Sequence, residues 1–254
     1  MSTAKLIELE PGLTVFASSA LEARFVHREI FLERCYDISS LPGRPLVADV
    51  GANIGLFSVF VKRCYPDAEI CAFEPVPHTA AVLRQNIQLH QLAGVTVHEV
   101  ALGSRPEDDV PFTYFPAVPG SSTRYPEQTG PAKAAVGHVY SARVADRLYR
   151  SNSITVRVQT LSDYLAEGRA VDLLKIDAEG AELDVLLGIS REHWQLIQAA
   201  ILEVHDYDGR LAAVCDLLSE RGMEPLAAPA PLFEEEVRAY TVRAVRRGSG
   251  QPLT

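Results

Sequence analysis

Four short apolar runs in this 254-residue chain carry chemically able side chains at or near their carboxyl ends. Asp49 lies in Leu46-Val47-Ala48-Asp49-Val50, Glu74 follows Glu69–Phe73, and Asp177 follows Val171–Ile176. Glu203 sits within Ala199–Val204, and His205 comes directly after it. Carboxylates can take protons from hydroxyls or hold a cation. An imidazole, with an ordinary pKa of about 6.5, is the natural base at neutral pH. Glu203 and His205 are two positions apart, so on a strand both point to the same face. There the carboxylate fixes the imidazole tautomer and raises its basicity. Asp177, Glu203 and His205 also form an oxygen-and-imidazole set compatible with Mg²⁺ or Mn²⁺. They are not spaced as a recognisable ligand motif, so no metal is expected.

The elements that must position these groups alternate between strand and helix. Strands are expected at Leu46–Val50, Glu69–Phe73, Val95–Val100, Val171–Ile176, Ala199–Val204 and Ala239–Val245. Helices fall between them: Leu56 to Cys64, stopped before Pro66, and Thr79 to His90 on a core stripe of Ala80, Leu83, Ile87 and Leu89. Leu183 to Leu187 and Leu211 to Ser219 follow, the latter with Gly222 just past its end. Such alternation implies βαβ units and a mostly parallel sheet, whose ligands bind beyond the carboxyl ends of the strands. Residues 1–45 read as a polar extension with one amphipathic helix on Leu21, Phe25, Ile30 and Phe31. Leu41-Pro42-Gly43-Arg44-Pro45 separates it from the main domain, 46–245, and 246–254 form a tail. Residues 103–160 break the rhythm. A structureless loop of that length is improbable in a compact domain, so they are read as an insertion covering the active edge as a lid.

The turn after the first strand, Gly51-Ala52-Asn53-Ile54-Gly55, lets backbone approach a ligand and opens a helix whose N-terminus suits an anion. Glu74, 25 positions beyond Asp49, can accept both hydroxyls of a ribose. A dinucleotide fingerprint needs a third glycine, and Asn53 stands where it would be; a phosphate-binding G-K-[ST] is also missing. Asp49 before the turn suits a ligand with an ammonium group. S-adenosylmethionine combines an amine, a carboxylate, a ribose and a sulfonium, and so matches this set. A tight turn in a sheet of another purpose remains the alternative at this point.

The stretches from Val47 to Gly55, Ala72-Phe73-Glu74-Pro75 and Leu174 to Glu182 together resemble the FkbM-type methyltransferases. Val100-Ala101-Leu102-Gly103 and Thr160-Leu161-Ser162-Asp163 extend the resemblance, which runs from about residue 28 to 245. It implies an α/β, Rossmann-like class I fold: a seven-stranded sheet, parallel but for one strand, with helices on both faces. It implies S-adenosylmethionine as methyl donor. Gly51, Asn53 and Gly55 then line the methionine end, with Asp49 behind them. Glu74 holds the ribose, Val76 and Ala101 flank the adenine, Asp177 faces the amine or the acceptor, and Tyr36 closes the pocket. The opening stretch His27-Arg28-Glu29-Ile30-Phe31, with Glu33 and Tyr36, looks like relatives that work beside polyketide or peptide assembly lines.

The expected activity is therefore O-methylation of a small natural product or its carrier-tethered precursor, with His205 as base, assisted by Glu203 and Asp177. An N-methyltransferase, which needs less base, is the nearest alternative. A nucleotide-cofactor oxidoreductase and a non-catalytic module are further ones. A net charge of −9 argues against nucleic acid. No apolar run reaches the ~18 residues of a membrane span. The N-terminus lacks an apolar signal core, and Cys35, Cys64, Cys71 and Cys215 form no CxxC pair. Reduced thiols and a cytoplasmic location are expected. Between Arg124 and Arg157, six cations face only Glu127 and Asp146, giving +4. If 139–150 are helical, Arg143, Arg147 and Arg150 share a face that would suit an acidic carrier protein.

Overall fold

The computed structural model describes residues 4–36 and 41–248, so positions 249–254 of the expected tail lie outside it. Its first elements correct the expected N-terminal reading. β1 (Lys5–Glu10) and β2 (Leu13–Ala17) form an antiparallel hairpin, turned at Gly12 with φ +84°. Leu13, Val15 and Ala17 alternate into the core, a period-2 signal hidden among polar residues. α1 (Ala20–His27) follows, capped by Ser19, and runs on into a π-helical turn, Arg28–Leu32.

β3 (Leu46–Val50), α2 (Leu56–Cys64), β4 (Glu69–Phe73), α3 (Pro77–Leu89) and β5 (Val95–His98) build one half of the main sheet. The expected third strand thus ends two residues early. On α3, Leu89 is exposed and Val82 joins the buried stripe in its place. The chain then leaves the sheet. β6 (Ala101–Leu102), β7 (Glu107–Tyr114) and β8 (Asn152–Gln159) form a separate three-stranded sheet in the order β6-β8-β7. Between β7 and β8 lie α4 (Gly130–Val139) and α5 (Ala142–Leu148). The insertion is therefore a built layer around its own core of Val110, Phe112, Val156 and Val158. Acidic residues and Pro111 masked the alternation of β7.

β9 (Leu173–Ile176), α6 (Glu182–Leu187), α7 (Arg191–Trp194), β10 (Ala199–His205) and α8 (Arg210–Glu220) complete the other half with β11 (Met223–Pro229) and β12 (Ala239–Arg246). β11 was not expected. It carries two prolines and occupies an edge, where a missing N–H is tolerated. The sheet order is β11-β12-β10-β9-β3-β4-β5. β12 runs antiparallel to both neighbours, and the remaining pairings are parallel.

Successive residues of the central strands feed two cores. Leu46, Ala48, Val50, Leu174 and Leu202 pack with Val185, Leu186, Val214 and Leu218 of α6 and α8. Val47, Leu173 and Ile201 pack on the opposite face with α2, α3 and the N-terminal hairpin. That second face also carries the charged residues. Asp49 and Lys175 are register partners on β3 and β9, and Lys175 pairs with Ile201 on β10, two residues before Glu203. A row of polar side chains thus crosses three adjacent strands beneath α1 and the π turn.

Candidate active site

The turn Gly51–Gly55 holds three left-handed residues: Gly51 at φ +74°, Asn53 at +48° and Gly55 at +89°. Asparagine is among the few side chains that tolerate this region. A Cβ at Gly51 would sit 1.7 Å from the Asp177 carbonyl oxygen, so the first and fourth parallel strands' loops touch only because that side chain is absent. At Gly55 it would sit 2.4 Å from Leu83 Cδ1. Glu74, buried at the end of β4, accepts from Asn53 N at 3.0 Å and from Val76 N at 2.9 Å, one bond to each oxygen. Burial pushes its pKa up to about 7 against the pull of those two N–H groups. Val76 and Ala101 pack in one apolar slot with the insertion's sheet beside it. Asn86 anchors the turn from below: its amide donates to the carbonyls of Ile54 at 2.8 Å and Phe16 at 2.9 Å.

Asp49 does not reach the cavity. It is fully buried, accepts from Ser58 Oγ at 3.1 Å, and lies 3.4 Å from Lys175 Nζ. The expectation that Asp49 faces a ligand's ammonium is corrected: its register partner on β9 neutralises it within the fold. Lys175 donates to the Gly51 carbonyl at 2.8 Å and stands 3.6 Å from Asp177. Burial acts to lower the ammonium's pKa, but Asp49, Asp177 and Glu29 hold it above the ordinary value. Asp177 is half-open to the cavity and accepts from the Tyr36 hydroxyl at 3.3 Å. Tyr36 is itself buried and packs edge-on against Phe57. Lys175 and Tyr36 therefore fix the aspartate from two sides.

Glu203 and His205 are brought together as expected for one strand face. His205 Nε2 lies 3.3 Å from Glu203 and 3.9 Å from Glu179, yet no hydrogen bond is aligned on this buried nitrogen. Burial raises the Glu203 pKa to about 8, and Asp177 adds to the rise. Glu29 of the π turn shares a hydrogen bond with Glu203, and burial lifts its pKa well above the usual range. Glu29 was not singled out from sequence. Its position on one turn of helix carried no spacing signal toward Glu203. Glu179 lies two residues past Asp177; it sits at φ +48° in a loop shaped by Glu182, which accepts from Gly180 N at 2.8 Å.

A cavity of about 440 Å³ joins these groups. The insertion roofs it. Glu22 of α1 accepts from the N–H of Gly120 and from Asn53 Nδ2, linking roof and glycine turn; burial pushes its pKa up to about 8. Thr123 donates to the Glu179 carbonyl at 2.6 Å, and Tyr207 donates to the Gln128 carbonyl at 2.5 Å. Of the basic residues, only Arg143 and Arg147 lie on α5, because that helix ends at Leu148; Arg150 falls beyond it. Lys133 pairs with Asp146 at 2.8 Å. Among the described residues no cluster of three or more His, Cys, Asp or Glu is set to hold a metal ion, and no helix is long and apolar enough to cross a membrane.

Comparison with known proteins adds the following. Residues 49–225 match the methyltransferase FkbM domain. Methyltransferase 1 of Beauveria bassiana is 37% identical over 251 residues, covering 97% of this chain and 100% of that one. The 31-O-demethyl-FK506 methyltransferase FkbM of Streptomyces tacrolimicus is 36% identical over 241 residues, covering 89% and 92%. A crystal structure of a methyltransferase FkbM from Methylobacillus flagellatus superposes with a TM-score of 0.54 at 16% identity. That alignment spans 83% of this chain and about half, 46%, of the other, and supports the fold.

Proposed function

This chain belongs to the FkbM methyltransferase family, and from that premise we propose that it methylates a hydroxyl of a small natural product, free or carrier-tethered, using His205 as general base. S-adenosylmethionine is the methyl donor, and it supplies a methyl group on a sulfonium already activated for in-line displacement. The residues present fit it: a glycine turn with exposed backbone, Glu74 with both oxygens oriented by backbone N–H groups, and an apolar slot between Val76 and Ala101. On this reading Gly51, Asn53 and Gly55 receive the methionine end, Glu74 takes the ribose hydroxyls, and Tyr36 and Lys175 keep Asp177 facing the amine. Asp49 acts from behind, by neutralising Lys175.

What remains for the protein is to orient the acceptor and remove its proton. The observation that carries the assignment is His205 Nε2, buried, without an aligned hydrogen bond, and 3.3 Å from Glu203. An imidazole so placed can take a proton from a hydroxyl, and the hydrogen-bonded Glu29–Glu203 carboxyl pair lies beside the positive charge that forms. A neutral amine acceptor would need no such group, which favours oxygen over nitrogen. The Streptomyces tacrolimicus relative, named for an O-demethyl substrate, agrees with that preference. His205→Ala is expected to lower turnover by ~10²–10⁴ at pH 7 with S-adenosylhomocysteine affinity within twofold. Full turnover in the alanine variant would remove the base and point to an amine acceptor.

A carrier-protein partner is the second part of the proposal. Arg143 and Arg147 are exposed on α5, beside Val139 and Tyr140 at the cavity mouth, and neither is neutralised by an ion pair among the described residues. Complementary charge of this kind mainly sets encounter rate and salt dependence. Reversing both to Glu should slow methylation of a carrier-tethered substrate several-fold at low salt and leave a free analogue unaffected. Equal rates for the tethered substrate in both proteins would retire the carrier.

A further inference from the structure

The helix α4 buries none of its residues, although Ala132, Ala135, Val136 and Val139 follow one another at i, i+3, i+4 and i+7. A stripe of that spacing ordinarily faces a core. Here all four side chains line the cavity. Facing them across it are Leu21 and Phe25 of α1, still 44% and 40% exposed. Phe233 joins the two walls. Its ring stands edge-on to Phe25 at 5.8 Å and to His205 at 6.0 Å, and it packs in the same small cluster as Ala132 and Ala135. The apolar walls thus run without a break to the proposed base. The floor is the opposite in character: Glu29, Glu179, Glu203 and His205 are all polar, and His205 Nε2 has no aligned hydrogen bond.

We propose that the methyl acceptor is an amphiphile, with an apolar body held between α1, α4 and Phe233 and a head bearing several hydroxyls over the carboxylate floor. This rests on the reading that the cavity is the acceptor site of methyl transfer. A small polyol would leave the α4 stripe and Phe25 in contact with water. A wholly apolar acceptor would take water from Glu179, whose side chain is 26% exposed, and leave His205 Nε2 still without an aligned hydrogen bond, which costs more than the bonds forgone. A molecule with both parts satisfies both surfaces.

The protein loaded with S-adenosylhomocysteine is titrated calorimetrically with n-octyl glucoside below its micellar concentration, and in parallel with glucose. Each methylene buried is worth roughly fourfold in affinity, so the octyl compound should bind more than about 100-fold tighter. Val136→Asp should remove at least about tenfold of that advantage while S-adenosylhomocysteine affinity, the check on folding, stays within twofold. Val139→Asp, at a position already 64% exposed, repeats the test where folding is least at risk. Glucose binding as tightly as the octyl compound would overturn the proposal, as would both Asp variants binding it unchanged. Transfer of labelled methyl to the bound probe is scored separately. Binding without transfer would count against the hydroxyl acceptor and the His205 base, and would leave the amphiphile standing.

Discussion

The two ends of the cavity are built in different ways. The donor end comes from the strand-to-helix turns of a parallel sheet: Gly51–Gly55 after β3, Glu74–Val76 after β4, and Asp177 after β9. Gly51, Asn53, Glu74, Val76 and Asp177 lie within three residues of a strand end, and the glycine turn and Glu74 are held by hydrogen bonds to main-chain N–H and carbonyl groups at 2.8–3.0 Å. The acceptor end is assembled from α1, the π turn, α4 and the 232–237 segment, which meet over the sheet from distant parts of the chain. It is held by side chains, and its carboxyls at Glu22, Glu29 and Glu203 are buried with raised pKa values. A turn set by backbone geometry can serve one ligand across many proteins. Walls made of interchangeable side chains can be reshaped for different acceptors without disturbing it.

If the contrast holds, the largest effect should come from a single methyl group at the donor end. Gly51→Ala sets a Cβ at φ +74° and 1.7 Å from a backbone oxygen, where no rotamer can relieve the clash. Loss of more than about 2 kcal/mol of stability and of all measurable S-adenosylhomocysteine binding is expected. A thermal melt and a titration read both. Tolerance of alanine would mean that the donor end deforms as readily as the acceptor end, and the contrast would break. Glu74→Ala sharpens it. The substitution removes the proposed ribose acceptor and frees the N–H groups of Asn53 and Val76, which should cost about 1.5–3 kcal/mol of cofactor affinity. Acceptor binding to the alanine variant saturated with cofactor should be unchanged, and a matched loss on both sides would show the two ends to be one unit.

The same division decides how much was legible in the sequence. The main sheet and the donor end were readable because their signals are local: apolar runs closed by acids, a glycine turn, an acid 25 residues on. Glu203 and His205 were readable together because a strand's period is two. Asp49 was misread because its partner, Lys175, lies 126 positions away and is brought opposite only by the β3–β9 register. Glu22 and Phe233 gave no signal, and Glu29 stood out only within the stretch 27–31 with no pointer to Glu203, since their roles arise from contacts across the chain: α1 with the insertion, the 232–237 segment with α1, and the π turn with β10. In β1 and β7 the alternation was hidden by acidic residues, joined in β7 by Pro111.

Glu22 tests the seam between the two ends, and its effect should be the smallest and the most dependent on pH. Its carboxyl joins Gly120 of the roof to Asn53 of the glycine turn, and burial holds its pKa near 8 in the fold against an ordinary 4.5. The folded state therefore binds this proton more tightly than the unfolded chain does. That preference stabilises the fold fully below about pH 4.5 and is lost as pH rises through about 8. Nearby Glu74 steepens the loss, because its own ionisation near pH 7 disfavours a second charge. Glutamine keeps an oxygen that can accept from Gly120 and Asn53 but carries no titrating proton. Glu22→Gln should thus melt with the wild type at pH 5 and above it at pH 8.5, by about 1 kcal/mol or a few degrees. Glu22→Ala, lacking the acceptor, should fall below wild type at pH 5 and loosen the roof, seen as faster amide exchange over 117–123. Equal melting of wild type and Gln variant at both pH values would show that this carboxyl is solvated in the folded protein and that the roof is held elsewhere, at Thr123 and Tyr207.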